Sequence, residues 1–139
     1  MDSRTSSGLA LVERLREAVN RHDLDSLAAC FAGDFMNETP VHPARSFRGR
    51  EQVRRNWAQI FAGVPDIVAD VVSVAVAGDS AWTEWEMRGT RRDGVPHLMR
   101  GVSIFTLGDG EFMSVRFYLE PVDAGDVAVD EAVRMAVGR

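Results

Sequence analysis

The chain has 139 residues, 45% hydrophobic and 27% charged, the balance of one soluble globular domain with a full core. Its net charge of −5 argues against a nucleic-acid surface, which needs a clustered basic face. A single cysteine, Cys30, excludes an intrachain disulfide. The pairs Arg54-Arg55 and Arg91-Arg92 are too small to reverse the charge argument. The N-terminal MDSRTSSG has no apolar run behind its charge, so it does not read as a signal peptide. No segment nears the roughly 20 apolar residues of a membrane span. The expectation is a cytoplasmic protein with neither nucleic acid nor membrane as partner.

Residues 1–8 are polar and are expected to be flexible, with Ser6 or Ser7 capping the first helix. Leu11, Val12, Leu15, Ala18 and Val19 then recur at helical spacing. Asp23 is a natural cap for a second helix striped by Leu24, Leu27, Ala28 and Phe31, which Gly33 would end. Cys30 falls in this helix and reads as a buried, inert thiol. Phe35 to Thr39 reads as a short strand, and Pro40 and Pro43 force an extended loop through His42. A third helix is expected over about residues 50–62, with Val53, Trp57, Ile60 and Phe61 on one side.

The pattern then changes to strands: Ile67–Val76, Ser80–Gly89, Leu98–Leu107 and Phe112–Leu119. Turns lie at Ala77-Gly78-Asp79, around Asp93-Gly94 and at Gly108-Asp109-Gly110. Residues 122–139 form a tail whose Val127, Val129, Ala132, Val133 and Met135 suggest a short helix lying on the body. Helices first and long strands after predict a segregated α+β domain over residues 9–121. One strongly curved antiparallel sheet packs on three helices as a cone and encloses an apolar pocket.

Several short motifs in this order resemble the nuclear-transport-factor-2-like superfamily, and within it the SnoaL-like polyketide cyclases and ketosteroid isomerases. They are Asp-Leu-Asp at 23–25, Phe-Ala-Gly-Asp at 31–34, Glu-Thr-Pro at 38–40 and Phe-Arg-Gly-Arg-Glu at 47–51. Arg100-Gly101-Val102, the Gly-Asp-Gly turn and Arg116-Phe117-Tyr118 complete the set. Matched by position, the isomerases' tyrosine falls on Leu15, their aspartate base on Thr39 and their oxyanion aspartate on Val102. None of these can do that chemistry. The Asp-Arg-Asp network of the limonene-epoxide-hydrolase relatives falls on Trp85, Met87 and Phe117. The resemblance implies the cone and its pocket but not the usual catalytic residues, since function lives in the site and not in the fold.

The same matches set the expected faces of the strands, because side chains alternate. Arg100, Val102 and Ile104 would point inward with Trp85, Met87, Phe117 and Leu119. Leu15, Phe35, Thr39, Trp57 and Phe61 would complete the lining. Trp82, Glu84, Glu86, Ser103 and Phe105 would face outward, and the resemblance implies a homodimer through that outer face. Four catalytic candidates follow. Arg100 could stabilise an oxyanion. His42, at the rim, is a residue type suited to general-base work near neutral pH. Glu120 ends the last strand where the cyclases carry an acidic residue. Glu38 adjoins the lost base position and would reach the pocket only through a bulge. The three histidines have no metal-ligand spacing, and no cofactor is expected.

Three functions fit this reading. One is an enzyme of cyclase, isomerase or lyase type, acting on a hydrophobic cyclic metabolite without a cofactor. The second is a non-catalytic module that binds such a ligand. The third is an assembly domain whose cavity is filled by its own Trp57, Trp85 and Phe117.

Overall fold

The computed structural model describes residues 2–138. Helix α1 (Ser3–Asn20) starts earlier than expected, because Asp2 and not Ser6 or Ser7 caps it, accepting from the Thr5 N–H at 2.8 Å. Its inner stripe is Leu11, Val12, Leu15, Ala18 and Val19, all buried. Asp23 caps α2 (Leu24–Ala29) by accepting from the Ser26 N–H and hydroxyl. These bonds hold its carboxyl below the usual carboxylate range, the hydroxyl's contribution first.

Gly33 does not end this helix. The chain passes directly into β1 (Phe31–Glu38), because Phe31 pairs with Phe112 and both rings enter the core. Gly33 and Asp34 instead sit exposed in a register irregularity of that strand, where a glycine is at home. A 3-10 turn (Pro43–Arg45) and the two-residue β2 (Phe47–Arg48) lead into α3 (Arg50–Gly63). Arg50 anchors this helix to β1, its Nε donating to the Phe31 carbonyl at 2.8 Å.

The long strands are β3 (Val68–Ala77), β4 (Ser80–Thr90), β5 (Pro96–Gly108) and β6 (Glu111–Phe117), followed by the short β7 (Glu120–Pro121). The sheet runs β2-β1-β6-β5-β4-β3, with β7 alongside the first half of β5. Its pairs are antiparallel except β1 with β6, which is parallel and departs from the all-antiparallel expectation. The resulting curved open sheet and the first three helices make the α+β cone, and a fourth helix follows in the tail. Asn20 ties α1 to β3 by bonding both the carbonyl and the N–H of Ala69. Asp66 joins the start of β3 to the end of β4 by accepting from the Thr90 N–H, which lowers its pKa.

A cluster of buried phenyl rings joins β1, β5 and β6 in the core. Phe105 and Phe112 stack 4.0 Å apart between centroids, Phe31 lies tilted against Phe112 at 5.4 Å, and Phe35 meets Phe31 edge-on at 4.8 Å. Burying four phenyl groups here supplies roughly 1.5–3 kcal/mol of hydrophobic stabilisation for each.

One expectation about faces fails on β5. Met99, Gly101, Ser103 and Phe105 stand opposite Met87, Trp85, Thr83 and Ala81, so they share the concave face. Arg100, Val102 and Ile104 therefore stand on the convex face. At Gly101 the strand bends, with φ +152, and leaves β6 for β7. A Cβ on Gly101 would lie 2.2 Å from the Tyr118 carbonyl oxygen, so the crossing chain needs a residue without a side chain.

The tail helix α4 (Val129–Ala136) does not lie on the body. Its residues are all exposed, Val129 at 74% and Met135 at 63%. No helix among the described residues is long and apolar enough to cross a membrane.

Candidate functional site

The wide end of the cone holds a cavity of about 260 Å³. Its walls come from every layer of the fold. Helix α1 contributes Leu15 and α3 contributes Val53, Trp57 and Ile60, set on one face by their helical spacing. Strand β1 contributes Phe35 and Asn37, and Thr39 follows at its end. Strands β4, β5 and β6 contribute Trp85 and Met87, Ser103 and Phe105, then Val115 and Phe117, with Leu119 just beyond. The cavity volume shows that Trp57, Trp85 and Phe117 line the space without filling it.

Three expected lining residues lie elsewhere. Val102 and Ile104 are on the convex face for the register reason given above. Phe61 turns to stack on His22, with ring centroids 4.7 Å apart. That imidazole is occupied structurally, since its Nε2 also contacts the Ile67 carbonyl at 2.9 Å.

Polar groups on the concave wall are neutral and partly paired. The Asn37 amide donates to the Thr39 hydroxyl at 2.8 Å, and both residues are buried. Thr83 donates to the Ser103 carbonyl at 2.6 Å and accepts from the Trp85 indole at 2.7 Å, which locks that ring in place. Asn37 had no expected role, and Ser103 and Phe105, expected on the outer face, line the cavity instead. Alternation on a correctly registered β5 would have found the last two.

The charged candidates separate sharply. Arg100 points outward and pairs with Glu86 at 3.0 Å, so it does not face the cavity. Glu38 is exposed and lines nothing. Its strand stays regular there, opposite Arg116, so the bulge it needed is absent. Glu120 does line the cavity. Strict alternation turns it outward, and its backbone does stand opposite Arg100, but at this edge of the sheet its carboxylate still borders the cavity. Its Oε1 lies 2.9 Å from His42 Nε2. Both side chains are a little over one-third exposed, and His42 is not itself among the residues that line the cavity, so the imidazole meets the site through Glu120. The 3-10 turn positions His42: its N–H donates to the Thr39 carbonyl, and Arg45 N–H donates back to the His42 carbonyl. Arg45, which no sequence signal marked, also lines the cavity.

Cys30 lies outside the site, 1% exposed, with its thiol against the Ser26 carbonyl. Burial pushes that thiol up, away from the reactive thiolate.

The architecture is shared widely. A SnoaL-like polyketide cyclase proposed in Jannaschia sp. CCS1 superposes with a TM-score of 0.74 at 21% identity, over 86% of this chain and 90% of that one. An LEH-like epoxide hydrolase of M. tuberculosis gives 0.73 at 17% identity, over 86% and 83%. IdmH, a polyketide cyclase proposed in Streptomyces antibioticus, gives 0.71 at 24% identity, over 81% and 91%. At these identities the likeness is one of fold. No curated protein matches the chain. The SnoaL-like domain model matches residues 12–115, and with the cone, its order of elements and its wide-end cavity in place, the chain belongs to the SnoaL-like domain family.

Proposed function

We propose that this protein is a cofactor-independent acid/base enzyme acting on a hydrophobic cyclic metabolite, of cyclase, isomerase or lyase type. One observation carries the reading: the carboxylate on the cavity wall, Glu120, is held 2.9 Å from the imidazole of His42. A carboxylate that orients an imidazole is the arrangement for taking a proton from a substrate and returning it at a neighbouring position. The apolar walls hold a ring system and exclude water, so the proton moves within a fixed geometry. With Leu15 and Thr39 on the wall, the cavity offers no tyrosine or aspartate at the positions steroid isomerases use. The chemistry here therefore starts at the mouth and not at the floor.

The neutral floor of Asn37, Thr39 and Ser103 favours a second reading, a non-catalytic module that binds the same class of ligand. The two separate by experiment. Small molecules that co-purify with the protein are identified by mass spectrometry and incubated with wild type, His42→Gln and Glu120→Gln. The enzyme reading expects conversion by wild type and a loss of about a hundredfold or more in each variant, the usual range for a general acid/base. Binding without conversion in wild type would establish the module instead.

A homodimer through the convex face is part of the same proposal. Trp82 is 54% exposed there, next to Ile104 on β5. Sedimentation should show a dimer that Tyr118→Glu weakens; a monomeric wild type at micromolar concentration would end the idea. The cytoplasm is the proposed location.

A further inference from the structure

We infer that the ligand carries an acidic oxygen group, a carboxylate on a ring system, and that Arg45 recognises it at the cavity mouth. The inference rests on the cavity being a ligand site. Arg14, Arg21, Arg45 and Arg48 contact no carboxylate and donate no side-chain hydrogen bond among the described residues. Of these, only Arg45 lines the cavity. The other arginines that bond do so to Asp or Glu, to backbone carbonyls, to Gln52 or to Tyr118.

Its position is built. Arg45 ends the 3-10 turn, and the turn is closed by its own N–H on the His42 carbonyl at 2.9 Å and by Ser46 N–H on the Pro43 carbonyl at 3.1 Å. The Ser46 hydroxyl accepts from the Thr39 N–H at 3.0 Å, fastening the turn to the end of β1. The backbone that presents the guanidinium is therefore held against the same rim as His42.

A second donor comes from α3. Asn56 lines the cavity from α3, and its carbonyl oxygen is already taken by the Gln52 amide at 2.7 Å. Its NH2 donates to no other group among the described residues. Two donor groups, one of them cationic, suit a planar oxyanion, and guanidinium binds a carboxylate through two parallel hydrogen bonds. The acid that would repel such a group, Glu120, is engaged by His42. The rest of the lining is aromatic and aliphatic, so the ring enters the cone and the carboxylate stays at the mouth.

The test uses two isosteric probes, 2-naphthoate and 2-naphthamide, titrated by calorimetry at neutral pH. Wild type should bind naphthoate about tenfold tighter than naphthamide, the scale of one charge-assisted contact. Arg45→Gln should remove that preference by weakening naphthoate far more than naphthamide, and Arg45→Lys should restore part of it. Asn56→Asp, which places a negative charge on the α3 wall, should weaken naphthoate alone and provides a second reading if Arg45→Gln folds poorly. Equal binding of both probes by wild type, unaltered in either variant, overturns the carboxylate inference while the cavity remains a ligand site. Binding of neither probe overturns both.

Discussion

Trp82 and Trp85 lie three residues apart on one strand, yet the sheet gives them opposite surroundings. Trp85 is 2% exposed, with its indole N–H held by Thr83 on the concave wall. Trp82 is 54% exposed on the convex face. The concave face is a continuous apolar wall with neutral hydrogen-bonding groups. The convex face carries a ladder of charge, Asp70 to Arg88 to Glu86 to Arg100, beside its apolar strip. Acidic and basic side chains are thus spent on each other outside the cone. The charged groups left at the cavity are Arg45, on the 3-10 turn, and Glu120, on the short edge strand β7. In this fold the sheet supplies shape, and the segments around its rim supply charge.

The sharpest way to break that contrast is Trp85→Ala. It removes a fully buried ring and its hydrogen bond, and should cost about 3–5 kcal/mol in denaturant unfolding. Trp82→Ala in the same assay should cost far less, because the ring starts half in water. Equal losses would mean that the two faces are not distinct. Next in size is Gly101→Ala, which tests the bend that divides β5. A Cβ pressed on the Tyr118 carbonyl, at a backbone angle L-residues avoid, should destabilise by about 2 kcal/mol or more. A variant with wild-type stability would show that the crossing is looser than described. The smallest effect is expected from Arg100→Gln. Its exposed pair with Glu86 should be worth no more than about 1 kcal/mol, and binding of the naphthalene probes should not change. A loss of probe binding would place Arg100 in the site after all.

Much of the fold was legible because its signals are local. The helical spacing of Leu11, Leu15 and Val19, the Asp23 cap and the Gly108-Asp109-Gly110 hairpin each depend on residues close in the chain. The inward set Trp85, Met87 and Phe117 followed from the positions matched to the family, which alternation extends along each strand. The site was only half legible. His42 and Glu120 could be named one at a time, but nothing in their neighbourhoods says that they meet. Arg45, in a run of proline, alanine and serine, carries no signal until the turn is folded.

What this sequence determined alone is the kind and order of its elements and the oiliness of the surface they must bury, since propensity and periodicity act over a few residues. Tertiary structure decided which side of β5 is inside. Register is set by partners distant in the chain and by the bend at Gly101, and a shift of one residue exchanges the faces of a strand. That same long-range pairing put Arg100 in solvent, brought Glu120 to His42, and left Arg45 facing an open cavity.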